Sequence, residues 1–136
     1  MLKIFFASHG KMASGMKGSL DILLGNSDNV TVFDAFIDEH IVQDAMDDFF
    51  ATINDQDTVV LCSDLYGGSV NQAMFLYLET YNAYLIAGIN LAFLLELSIK
   101  ESISKEELLQ MVKDSRQAIR FIEVAEIDSK AGEEFF

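Results

Sequence analysis

The chain has 136 residues, of which 51% are hydrophobic and 23% charged, a balance that fits a single globular domain over 1–136 and excludes a disordered polyelectrolyte. Its formal net charge is −13, and no lysine or arginine stands between Lys17 and Lys100. This excludes non-specific nucleic-acid binding, which depends on basic side chains neutralising phosphates. The acidic surface suits either solubility or a basic partner, two readings of equal weight.

The first apolar run, Leu2 to Ala7, predicts a buried strand ending on Ser8-His9-Gly10. It is too short for a signal-peptide core, and no apolar run approaches membrane-spanning length, so a cytoplasmic protein without membrane insertion is expected. Met12, Ala13, Met16, Leu20, Leu23 and Leu24 recur at helical spacing, and Gly25 is a natural stop. Val30 to Phe36 predicts a second strand, and Ile41, Ala45, Phe49 and Ile53 a second helix with Asp44, Asp47 and Asp48 mostly outward.

Thr58 to Ser63 is continuously apolar, as a parallel strand covered on both faces should be. Within it Cys62, the single cysteine, reads as core filler. The strand runs into Asp64-Leu65-Tyr66-Gly67-Gly68-Ser69, and a helix pattern follows through Ala73, Leu76 and Tyr77. Ala83 to Ala87 gives a fourth strand, turning at Gly88-Ile89-Asn90 into the helix Leu91 to Leu97, for which Asn90 reads as a cap. Ser104-Lys105-Glu106-Glu107 matches a capping box opening a long helix through Leu108, Met111, Val112 and Ile119. Phe121 to Ala125 reads as a fifth, terminal strand, and Asp128 to Phe136 carries no clear pattern. Strand and helix alternate with short connections, so the expected class is α/β, with an open, mainly parallel four-stranded sheet and helices on both faces.

Strands one and three both end on polar groups. Parallel and adjacent, they would meet at a topological switch point, where open α/β sheets bind ligands. Asp64 would then reach the His9 ring. A carboxylate on one imidazole nitrogen fixes the tautomer and leaves the other free as a nucleophile. Gly67 and Gly68 permit close backbone approach, and Ser69 reads as the N-cap of a helix whose exposed amides suit a phosphate-sized anion. Nucleophile, orienting carboxylate and anion cradle together describe a phosphohistidine site. Each piece also has a plainer reading: a turn histidine, a helix-start turn, and for His40 an exposed loop residue.

Ser8-His9-Gly10, Ile22-Leu23-Leu24-Gly25, Asp64-Leu65-Tyr66-Gly67-Gly68-Ser69 and Gly88-Ile89-Asn90-Leu91 occur in the order seen in the mannose-family enzyme IIA of the sugar phosphotransferase system, which the chain resembles over nearly its whole length. The resemblance implies a phosphoryl carrier. His9 would take phosphate from the phosphocarrier HPr and pass it to a cognate enzyme IIB, which serves the membrane IIC and IID components. Asp64 would orient His9, and Gly10, Leu65, Gly67, Gly68 and Ser69 would surround the phosphoryl group, without metal or organic cofactor. It also implies a homodimer with an antiparallel C-terminal strand, around Phe121 to Val124, exchanged between subunits. Val70, Asn71, Gln72 and Ala92 depart from the common family text, which leaves the sugar open.

The alternatives are the related phosphocarrier subunit of a dihydroxyacetone kinase, a hydrolase built on Ser69, His9 and Asp64, and a non-catalytic binding module. The hydrolase lacks a Gly-x-Ser-x-Gly elbow.

Overall fold

Four apolar runs become strands because each is covered on both faces: β1 (Leu2–His9), β2 (Val30–Ala35), β3 (Thr58–Ser63) and β4 (Ala83–Ala87). They come from a computed structural model that describes residues 1–124. All pairings are parallel, in the order β2-β1-β3-β4. The chain thus builds outward from β1 to one side and then, from β3, to the other. The crevice created by that reversal lies between the carboxyl ends of β1 and β3.

The helices are α1 (Met12–Leu24), α2 (Val42–Phe50), α3 (Ser69–Phe75), α4 (Leu91–Ser98) and α5 (Lys105–Arg116), with a 3-10 turn at Leu76–Glu79. Alternation along β1 sends Ile4 and Phe6 to one face and Phe5 and Ala7 to the other. Ile4 and Phe6 pack against Ala13 and Leu20 of α1, Phe93, Leu94 and Leu97 of α4, and Leu108 and Met111 of α5. Phe5 packs with Met46, Phe49 and Phe50 of α2 and with Val70 and Met74 of α3. Full burial of each phenylalanine side chain contributes about 1.5–3 kcal/mol. The helices following β1 and β3 therefore leave toward opposite faces, which opens the crevice.

Several boundaries differ from the sequence expectation. β1 runs on through Ser8 and His9 because both still pair with β2, opposite Asp34 and Ala35. β2 stops at Ala35, since Phe36 takes a left-handed backbone conformation with φ 66°. α5 ends at Arg116, leaving Ile119 outside it and 86% exposed. Phe121–Val124 forms no strand among the described residues, where the sheet ends at four strands. Ala125 and the tail Asp128 to Phe136 lie outside the described residues. Cys62 is buried in β3, and burial pushes its thiol pKa far up, which removes it as a nucleophile at neutral pH.

Candidate functional site

His9 is the last residue of β1, and the neighbouring side chains hold the turn that presents it. Ser8 is buried with both polar roles used: its Oγ donates to the Gly10 carbonyl (3.1 Å) and accepts from the Ala13 N–H (2.7 Å). Gly10 adopts φ 64°, where glycine is favoured, and its N–H bonds the Ala35 carbonyl (2.8 Å). Asp34 takes the Ser14 N–H at 3.0 Å and the Ser14 hydroxyl at 2.6 Å. Ser8 and Asp34 thus satisfy two of the first amides of α1, and neither role was apparent from sequence.

Asp64 stands just past β3 and reaches across to β1. One oxygen, Oδ2, accepts from both the His9 backbone N–H (2.8 Å) and ring Nδ1 (2.9 Å). The carboxylate is 8% exposed and the imidazole 39%. Burial pushes the Asp64 carboxyl pKa up, but the bonds from the His9 backbone and ring outweigh it and leave it below its ordinary 3.8. At neutral pH Asp64 is therefore ionised and can only accept, so the proton of this bond sits on Nδ1, and in a neutral imidazole the lone pair is then on Nε2. The other oxygen, Oδ1, is buried with no hydrogen-bond partner among the described residues.

The β3–α3 loop supplies the remaining neighbours. Gly67 turns it at φ 73°, and Leu65 and Tyr66 project into solvent, Tyr66 at 90% exposure. The N-cap of α3 is Gly68, with extended backbone (φ −72°, ψ 169°) and no side-chain cap, rather than Ser69 as the sequence suggested. The physical consequence is that the Ser69 hydroxyl is not spent on a helix amide. It faces His9 instead, with Oγ 3.3 Å from Nε2. A Cβ on Gly68 would lie 3.4 Å from His9 Cε1, so glycine leaves that edge of the ring clear. Asn71 accepts the Ser63 hydroxyl at 3.0 Å, tying the end of β3 to α3, a contact that sequence reasoning did not assign.

His9, Asp64, Gly68 and Ser69 are thus brought together. Gly10, Leu65 and Gly67 stand in the same two loops, with the Gly67 carbonyl accepting from Gln72 Nε2 (3.2 Å). His40 is apart, an exposed loop residue whose Nδ1 lies 3.0 Å from Asp38. A cleft of about 240 Å³ beside the site is lined in part by Phe36, His40, Gln43 and Ser69. A larger hollow of about 700 Å³, bordered by Met1, Asn29 and Lys100, includes none of these site residues.

A family model described as PTS system fructose IIA component, EIIA-man, matches residues 3–120, from β1 past the end of α5. The chain belongs to this family. It is accordingly a component of the sugar phosphotransferase system, in the mannose family of IIA proteins that serve sugar transport. Solved structures share the fold of this EIIA-man chain. The mannose/sorbose specific IIA subunit from Enterococcus faecalis superposes with TM-score 0.78 at 20% identity, covering 90% of this chain and 95% of that one. The PTS IIA protein associated with the fucose utilization operon of Streptococcus pneumoniae gives 0.74 at 24% identity, covering 88% and 92%. Component EIIA from Streptococcus agalactiae gives 0.74 at 22%, covering 89% and 97%. No curated protein matches the chain. Among the described residues of this EIIA-man member, no helix is long and apolar enough to cross a membrane. Nor does any group of three or more His, Cys, Asp or Glu there suit a metal ion.

Proposed function

We propose that this EIIA-man protein carries a phosphoryl group on Nε2 of His9, accepting it from phospho-HPr and passing it to a cognate enzyme IIB on the cytoplasmic side of the membrane. The observation that carries the reading is the division of the imidazole: Nδ1 is bound to an ionised Asp64, and Nε2 meets only the Ser69 hydroxyl, on a ring that is 39% exposed.

The Nε2 lone pair attacks the phosphorus of the donor's phosphohistidine. The new N–P bond forms as the donor's N–P bond breaks, and the electron pair returns to the donor imidazole. The Nδ1 proton stays on His9, bonded to Asp64, which offsets the positive charge developing on the ring. Ser69 Oγ, now 3.3 Å from Nε2, swings to donate to a phosphoryl oxygen. The backbone of Leu65, Gly67 and Gly68 surrounds the group, while Gly10 shapes the turn that presents His9. Onward transfer to enzyme IIB reverses these roles. The protein works as a homodimer, in which the segment around Phe121 to Val124 is exchanged between subunits.

The test is phosphoryl transfer from phosphoenolpyruvate through enzyme I and HPr. The wild type takes up about one acid-labile phosphate per chain, and His9→Ala takes up none. Full labelling of His9→Ala would refute the reading.

The approach of Ser69 to His9 gives a second reading some ground, since Ser69, His9 and Asp64 stand in the order of a hydrolase triad. A fluorophosphonate separates the two: a stoichiometric adduct on Ser69 supports hydrolysis, and no adduct is expected of a phosphoryl carrier.

A further inference from the structure

Phe36 holds an unusual position. Among the described residues it is the single non-glycine with positive φ, at 66°, a conformation that crowds a side chain bearing a Cβ. Glycine or asparagine would take that turn with less strain. Burial does not explain the phenylalanine, because the side chain is 68% exposed. What the ring does contact is the nucleophile: it stacks on the His9 imidazole, with centroids 5.2 Å apart and planes inclined by 30°. Strain retained in an exposed residue that touches the reacting group points to a role in the reaction.

We propose that Phe36 is a positioning residue for phosphoryl transfer at His9, fixing the plane of the imidazole so that the Nε2 lone pair keeps one direction. This rests on the reading of His9 as the phosphoryl carrier. The other neighbours constrain the ring only at its edges, with Asp64 Oδ2 at Nδ1 and Ser69 Oγ at Nε2. The ring turns about its Cβ–Cγ bond, and of the two edge contacts that oppose this turn the one at Nε2 is long, at 3.3 Å. A ring stacked on one face blocks the turn toward that side. The β2–β1 register makes the arrangement possible: His9 pairs with Ala35, which places Phe36 beside the imidazole at the same sheet edge. The side chain thus acts through His9 rather than on phosphate, and its effect belongs in the transfer step, where a loss of alignment slows reaction without weakening docking.

The experiment compares wild type with Phe36→Gly, which accepts the left-handed backbone but lacks the ring, and with Phe36→Tyr, which keeps it. In the wild type, ring-current displacement moves the His9 ring CH proton signals upfield. Phe36→Gly returns them toward the positions of an unstacked histidine, and Phe36→Tyr retains the displacement. With phospho-HPr as donor, Phe36→Gly lowers kcat about 10- to 100-fold. Its KM stays within about twofold and its melting temperature does not fall, while Phe36→Tyr restores the rate. Unchanged His9 signals in Phe36→Gly, or an unchanged kcat, would overturn the proposal. So would a rise in KM alone, which would make Phe36 a docking contact. If the wild type itself takes no phosphate from phospho-HPr, the carrier reading and the role in transfer both fail, whereas an upfield His9 signal in the same sample still establishes the stack.

Discussion

The two ring nitrogens of His9 meet different chemistry, one an ionised carboxylate and the other a hydroxyl at a solvent-facing edge. The asymmetry should be visible in acid. The folded-state pKa of Asp64 lies below its ordinary 3.8, so between the two the unfolded chain binds more protons and stability rises with pH. The contribution is complete above about pH 5 and is lost as pH falls through the folded value. Asp64→Asn places an amide where Oδ1 has no partner and removes the charge that His9 binds. It should lower stability at pH 7 by roughly 1.5–3 kcal/mol and flatten the acid limb. Urea unfolding from pH 7 down to pH 3 checks both; a variant with wild-type stability and an unchanged acid limb would mean the pair is decorative. His9 and Asp64 were legible in sequence because each ends an apolar run, and the alternation with helices makes those runs neighbours. Phe36 was not, since phenylalanine carries no signal for a left-handed turn. The cap of α3 was assigned to Ser69 because serine favours N-caps, yet the extended backbone at Gly68 takes that place and releases the hydroxyl toward Nε2.

Elements whose ends are fixed by local chemistry matched their expected limits. Thr58–Ser63 is one continuous apolar strand, Gly25 closes α1 at φ 89°, and the Ser104–Glu107 capping box has both of its bonds. Ends set by tertiary contacts did not match. β1 lengthened because β2 pairs with it to the last residue, and α5 stopped short of Ile119, whose helical spacing carried no information about where packing ends. Asn90 shows how one side chain can join two elements. Its Oδ1 accepts from the Phe93 N–H at 2.8 Å as the cap of α4, and its Nδ2 donates to the Ser115 carbonyl of α5 at 2.8 Å. Asn90→Ala removes both bonds and should cost about 1–3 kcal/mol. Denaturant midpoints provide the check, with a loss under about 0.5 kcal/mol showing that the tie contributes little.

For the molecule as a whole, strand order decides where chemistry can happen, and the reversal between β1 and β3 gathers His9, Asp64 and Ser69 from separate parts of the chain. An acidic surface with no lysine or arginine from 18 to 99 would favour rapid, salt-sensitive encounter with a basic partner, and equally suits solubility. Beyond α5, Ile119 and Phe121 are exposed at 86% and 83%, apolar surface that an exchanged dimer would cover. Light scattering should give twice the chain mass of 15.2 kDa, and a mass of one chain at micromolar concentration would contradict the proposed dimer. The central claim concerns one atom. Phosphorus NMR of the protein phosphorylated by phospho-HPr distinguishes phosphate on Nε2 from phosphate on Nδ1. With Nδ1 held by Asp64, a single signal of the Nε2 phosphohistidine is predicted, absent in His9→Ala; phosphate on Nδ1, or on Ser69, would contradict it.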